Sequence, residues 1–271
     1  MSARVASNAR TDVGRVRKVN EDSLLARTPA FLVADGMGGH ARGDAASQTA
    51  VHVLDEAIGE GTTPTADDVL AAVRRANTAV RQLSDVDDTG VAVAGTTLSG
   101  VVRVRTEADG EAWMVLNVGD SRVYDWDGRT LSQLSIDHSA VQELLDAGVI
   151  GAEDAAAHPD RNVITRALGA EDDVDVDVWI LPAGSSRRFL VCSDGLCKEL
   201  DDERIAHILA DSPTETAADA LVDAALEAGG RDNVSVIVVD SREGDDADDP
   251  NQTRDRAEPV REFLEDTRPR G

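Results

Sequence analysis

Two long helical patterns stand back to back early in the chain, at 43–58 and 66–84, and two more, at 201–210 and 213–228, precede its last strand-like run at 233–240. A short apolar run at 31–35 leads into the first helix. Further runs at 95–105, 111–126, 174–181 and 187–194 fall between the two helical pairs, with a shorter helical pattern near 139–147. Parallel strands need a long crossover, usually a helix, between each pair. Strands grouped together, with helices grouped in pairs, instead predict antiparallel sheet with helices packed outside it. The segment "VDVDVWIL" alternates as a half-buried strand should. In the last helical pattern Ser212 reads as the N-cap, Pro213 as the first helical residue, and a glycine as the stop. From Arg242 onward the chain becomes polar and loses periodicity. The expected organisation is one domain over 1–241 and an acidic, disordered tail over 242–271.

Aromatic residues make up only 3% of the 271 residues, so the core must rest on Val, Leu, Ile and Ala. The formal net charge is −25, from 52 acidic against 27 basic residues. Such a surface repels nucleic acid and anionic membranes, and neither is an expected partner. No run approaches the ~20 consecutive apolar residues of a membrane span. The first residues lack the apolar region of a signal peptide, so a cytoplasmic location is expected. Lys18 and Lys198 are the only lysines, a bias that fits either a salt-adapted or a GC-rich source. Cys192 and Cys197 match no common zinc or redox spacing, and Cys192, inside an apolar run, reads as a reduced core thiol.

One pattern recurs three times: an apolar run that ends in an aspartate and a small residue. It appears as "FLVADG" at Asp35, "MVLNVGDS" at Asp120 and "FLVCSDG" at Asp194, while "GGRDNVSVIVVD" puts Asp232 just before a strand. Any one Asp-Gly is ordinary turn chemistry. If the strands are neighbours, the carboxylates converge on one edge. Two carboxylates ~5 Å apart repel by roughly 3 kcal/mol at an effective dielectric of 20, so such a cluster must take up protons or cations. Oxygen-only ligands select hard cations such as Mg2+ or Mn2+. The carbonyl of Gly36 is a further candidate ligand, because glycine permits close approach.

Gly36, Gly38 and Ala41 also fit a loose dinucleotide-loop pattern. A lone match is weak, the helices do not alternate with strands, and Asp35 would face the pyrophosphate uncompensated. Upstream, "TDVGRVRKVNED" packs Arg15, Arg17 and Lys18 close to Glu21 and Asp22. An arginine fork there could take two phosphate oxygens at once; a solvated basic turn is the plainer reading.

The segments "TDVGRVRKVNED", "ADGMGGHARGDAAS", "AGTTLSG", "NVGDSRVY", "DHSAVQELLDAG", "HPDRNVITRALG", "VCSDGL" and "GRDNVSVIVV" occur together and in this order. Their succession, over about residues 5 to 240, resembles the bacterial-type metal-dependent protein phosphatases of the type 2C (PPM) family. The resemblance implies an α+β fold: a four-layer α/β/β/α sandwich with two central antiparallel sheets flanked by antiparallel helices. It implies two Mn2+ or Mg2+ ions, with a weaker third. Asp35 would bridge the two, with the Gly36 carbonyl on one and Asp194 and Asp232 on the other. Asp22 would orient metal-bound water, Asp120 would help hold the third metal, and Arg17 would clamp the phosphoryl oxygens.

The implied reaction is hydrolysis of phosphoserine and phosphothreonine in phosphoproteins, the products of Ser/Thr kinases. A hydroxide bridging the two metals would attack phosphorus in line. Nothing in the chain demands more than a monomer. A regulatory pseudophosphatase is the alternative, and the retained Asp35, Asp194 and Asp232 argue against it. Two positions depart from family patterns. Met37 stands where animal members place a histidine proposed as the general acid; His40 is a nearby candidate, as is a metal-bound water. Lys198 stands four residues after Asp194, where many relatives carry an acid, which predicts a weakened third metal site. Residues 137–169, with His138, His158, Arg161 and Asn162, resemble the family's flap and are expected to be structural or to shape access.

Overall fold

The computed structural model describes residues 4–37, 42–61, 63–87, 90–92, 94–106, 110–155, 158–183 and 186–242. The chain opens with strands β1 (Arg4–Asp12), β2 (Asp22–Arg27) and β3 (Ala30–Met37), followed by helices α1 (Gly43–Ile58) and α2 (Ala66–Arg81). Next come the short strands β4 (Asp85–Asp87), β5 (Gly90–Ala92) and β6 (Gly95–Thr96). Strands β7 (Leu98–Thr106), β8 (Gly110–Val118), β9 (Arg122–Trp126) and β10 (Leu131–Gln133) lead to helices α3 (Ala140–Asp146) and α4 (Ala152–Ala155). The last third holds β11 (Asp177–Pro182), β12 (Arg187–Cys192), α5 (Asp194–Cys197), α6 (Asp202–Asp211), α7 (Thr214–Ala228) and β13 (Val234–Arg242).

The strands form two main antiparallel sheets. One runs β1-β13-β12-β9-β10; the other runs β11-β8-β7-β3-β2, with β6 added at the end of β3. Side-chain alternation then assigns each face. In β3, Leu32 faces α1 and α2, whose Ala46, Ala50, Leu54, Val69, Val73 and Ala76 cover that sheet. Phe31 and Val33 point the other way and meet Val123, Phe189, Val191, Ile237 and Val239 of the second sheet. In β13, Val234, Val236 and Val238 face outward onto Ile205, Leu209, Leu221 and Val222 of α6 and α7. The period of two along each strand therefore feeds three apolar layers, and the expected four-layer sandwich results. The scarce aromatics gather in the middle layer, where Trp113 meets Phe189 edge-on at 5.5 Å and Phe31 at 6.3 Å.

Local chemistry explains most element ends. Thr65 and Asp68 form a capping box that starts α2. The expected N-cap of α7 is displaced by one residue: Pro213 holds that position and Thr214 begins the helix. Ser212 is instead spent on α6, its amide closing that helix on the Ile208 carbonyl at 3.0 Å. The apolar run at 111–126 is two strands, not one, and they enter different sheets. The break is at Gly119, whose φ is +103° and where a Cβ would lie 2.6 Å from the Thr97 methyl. Strands β1 and β2 carry little apolar alternation and were not among the expected runs. Apart from Arg242, the expected tail lies outside the described residues, as does His40. Among the described residues no helix is long and apolar enough to cross a membrane.

Candidate functional site

The antiparallel register sets Asp22, the first residue of β2, directly opposite Asp35 near the end of β3. The backbone of Asp35 is locked to the start of β7. Its amide donates to Thr97 Oγ1 at 2.9 Å, and its carbonyl accepts from the Thr97 amide at 2.9 Å and the Thr96 hydroxyl at 3.0 Å. Gly36 follows in a slot with no room for a side chain: a Cβ would lie 2.0 Å from the Gly43 carbonyl oxygen. Only glycine lets β3 run this close to the first residue of α1.

The second sheet delivers Asp194 and Asp232 to the same end. Ser193 ties the sheets together there. Its hydroxyl donates to Asp22 Oδ2 at 2.8 Å and accepts the Ser235 amide at 3.0 Å. Asp194 then opens α5, which is pressed onto the start of β13: a Cβ on Gly195 would lie 1.9 Å from the Asn233 carbonyl oxygen. Asn233 pins the segment that carries Arg17. Its side-chain oxygen accepts the Glu21 amide at 2.9 Å, and its nitrogen donates to the carbonyls of Val13 at 2.9 Å and Val19 at 3.0 Å. Asp120 sits in the break between β8 and β9. His138 braces that turn, accepting the Gly119 amide on Nδ1 at 3.1 Å, while its Nε2 lies 3.2 Å from Asp177.

These carboxylates do not ionise as ordinary ones do. Burial, with the charges of Asp22, Asp194 and Asp120, pushes Asp35 well above the usual range. Burial raises Asp22 to about 6, against the opposing hydrogen bonds of Ser235 and Ser193, and raises Asp120 to about 7, helped by Asp194 and Asp137. Asp194 is raised by burial in spite of Lys198. Asp232 alone stays below the usual range, because Lys198 and Arg17 outweigh its burial. The Lys198 ammonium lies 2.5 Å from Asp194 Oδ2 and 3.0 Å from Asp232 Oδ2. Arg17 reaches the same aspartate, Nε to Oδ1 at 2.8 Å and Nη2 to Oδ2 at 3.1 Å.

One buried oxygen of each of Asp22, Asp120 and Asp194 has no hydrogen-bond partner. Buried carboxylate oxygens without protein donors are suited to cations. The all-oxygen donor set and the close approach allowed at Gly36 suit a hard divalent ion. The residues therefore fit Mn2+ or Mg2+. Among the described residues, however, no three carboxylate, imidazole or thiol side chains are gathered as a ready-made metal cage. Two of the expected ligands are instead bound to the Lys198 ammonium.

The protein phosphatase 2C family model matches residues 15–228, a span that includes Arg17, Asp22, Asp35, Asp120 and Asp194. The chain belongs to the protein phosphatase 2C family. Membership makes it a phosphoprotein phosphatase. It is 38% identical over 244 residues to the serine/threonine phosphatase stp of Listeria monocytogenes, covering 85% of this chain and 94% of that protein. Among solved structures it is similar to the PPM Ser-Thr phosphatase of Mycobacterium smegmatis in complex with cacodylate. That match has a TM-score of 0.76 at 36% identity and covers 86% of this chain and 97% of the other. The catalytic domain of the phosphatase PstP, in complex with two manganese ions, matches with a TM-score of 0.73 at 34% identity, covering 89% and 100% of the two chains.

In this protein phosphatase 2C family member, the fold brings Arg17, Asp22, Asp35, Gly36, Asp120, Asp194 and Asp232 to one end of the sandwich. Reading the sequence missed Ser193, Ser235 and Asn233, which fix the carboxylates and the Arg17 segment in place. Their only signal is a polar residue at the edge of an otherwise apolar strand: Ser193 just after β12, and Asn233 and Ser235 at the start of β13. Of the residues expected in the flap, His138 is buried and accepts the Gly119 amide, and His158 accepts the Asp160 amide at 3.2 Å.

Proposed function

We propose that this protein phosphatase hydrolyses phosphoserine and phosphothreonine in phosphoproteins, the products of Ser/Thr kinases, with two divalent cations (Mn2+ or Mg2+) at the aspartate cluster. The observation that carries this reading is the convergence of Asp22, Asp35, Asp120, Asp194 and Asp232 at one end of the sandwich, with three buried carboxylate oxygens lacking donors.

In this reading Asp35 would serve both cations, the Gly36 carbonyl one of them, and Asp194 and Asp232 the other. Asp120 contributes to a weaker third position, with Lys198 close by. Asp22, held by the Ser193 hydroxyl, orients water from behind. When bound, the cations would supply Lewis acidity and an activated water for in-line hydrolysis of the phosphate ester. Arg17 presents a planar fork that takes two phosphoryl oxygens and steadies the charge spread over them in the transition state. Cations and Arg17 together make a positive pocket on a protein whose net charge is −25, which lets a phosphate approach.

Release of inorganic phosphate from a phosphothreonine peptide tests this directly. Release should require Mn2+ or Mg2+ and stop on chelation; none under either condition would sink the reading.

A further inference from the structure

Lys198 is placed by two independent features. As the C-cap of α5, still in helical conformation, Lys198 has its side chain carried over Asp194, four residues earlier, and its own amide donates to the Asp194 carbonyl at 2.8 Å. The seating of Gly195 against Asn233 then brings Asp232 within reach of the same ammonium. One nitrogen thus lies 2.5 Å from Asp194 and 3.0 Å from Asp232, two carboxylates far apart in the sequence. A lysine at the rim of a metal site would ordinarily extend into water. This one is held between two expected ligands.

We propose that Lys198 is an intramolecular stand-in cation: it occupies the space between Asp194 and Asp232 in the metal-free chain, and metal loading is an exchange in which the divalent ion displaces its ammonium. The inference rests on the phosphatase reading above. Its physical basis is charge. Without any cation, Asp194 and Asp232 would repel each other and Asp35 at the end of the sandwich. The ammonium relieves that repulsion, and by the same attraction it competes with the incoming ion. The ammonium thus stabilises the empty site and weakens metal binding. A chain with no charge at position 198 should therefore bind metal more tightly while being less stable without it.

Three measurements test this without reference to turnover. Titration calorimetry of chelator-treated protein should show Lys198→Gln binding Mn2+ about tenfold or more tightly than the wild type. The metal-free variant should melt at a lower temperature, and Mn2+ should raise its melting point by more. The third measurement needs no variant, since Lys18 and Lys198 are the only lysines. Lys198 is 35% exposed, so an amine-acylating reagent can reach it, and Lys18 is exposed and serves as the control. Peptide mapping should show Mn2+ accelerating modification of Lys198 relative to Lys18. Equal or weaker Mn2+ binding by the variant would overturn the inference while leaving the phosphatase reading intact. If Lys198→Gln fails to fold without metal, labelling of the wild type decides: Lys198 modification unaffected by Mn2+ also overturns it. No Mn2+ binding by either protein removes both readings.

Discussion

Ser193 donates its hydroxyl to Asp22 at 2.8 Å, and that single bond joins the end of β12 in one sheet to the start of β2 in the other. The same hydroxyl accepts the Ser235 amide, so it also fixes the start of β13. The residue just before an expected metal ligand is thereby the clasp between the two halves of the sandwich.

Ser193→Ala should cost stability and activity together. It leaves the Ser235 amide and an Asp22 oxygen short of a partner at a buried position, worth about 1–3 kcal/mol. Outer partners of metal ligands typically contribute 10–100-fold to metal affinity or activity. Thermal melting and Mn2+ titration of the variant check both. A variant with wild-type stability and Mn2+ affinity would show that the clasp is incidental.

Asn233→Ala should loosen the segment that carries Arg17. Three hydrogen bonds to Glu21, Val13 and Val19 disappear at a residue only 6% exposed. Stability should fall by about 1–3 kcal/mol, and KM for a phosphopeptide should rise more than kcat falls, since binding geometry is what suffers. An unchanged KM would place the loss elsewhere.

Much of this site could be read from residue order alone, for a physical reason. Asp35, Asp120 and Asp194 each close an apolar run at a small residue; Asp120 and Asp194 follow the ends of β8 and β12, where the chain must turn, while β3 continues two residues past Asp35 through Gly36. The helices at 43–58 and 201–210 also follow their periodicity closely. Strand β1 left no such mark. It is an edge strand with mostly exposed or half-buried positions, so its Arg, Asn and Thr residues carry no alternation. The division of 111–126 into two strands depends on a contact between Gly119 and Thr97, residues from different parts of the sequence. The pairing of Lys198 with Asp232 is equally non-local. An unusual lysine could be seen at that position, but its second partner exists only in the fold.

Asp120 gives a pH signature. Burial, then the charges of Asp194 and Asp137, hold its carboxyl at about 7, against about 3.9 in an unfolded chain. Between those values the folded, metal-free protein keeps a proton that the unfolded chain has lost. Stability present below about pH 4 is therefore lost as pH rises through about 7, with about 4 kcal/mol as an upper bound. Asp120→Asn removes this contribution. The melting temperature of the metal-free variant should fall less steeply over that window than that of the wild type. Parallel curves would contradict the assignment.

Asp194→Ala should abolish phosphate release, by about a thousandfold or more in kcat/KM, with the far-ultraviolet circular dichroism unchanged. The fold should survive because this side chain faces the cluster and not an apolar layer. Substantial residual activity would remove Asp194 from the ligand set.

The central claim is that the aspartate cluster is a two-cation centre. Anomalous diffraction from manganese-soaked crystals examines it most directly. Two strong peaks should appear on either side of the Asp35 carboxylate, one of them within coordination distance of Asp194 and Asp232, with the Lys198 ammonium moved off both. Density for manganese elsewhere on the surface but none beside Asp35 would contradict it.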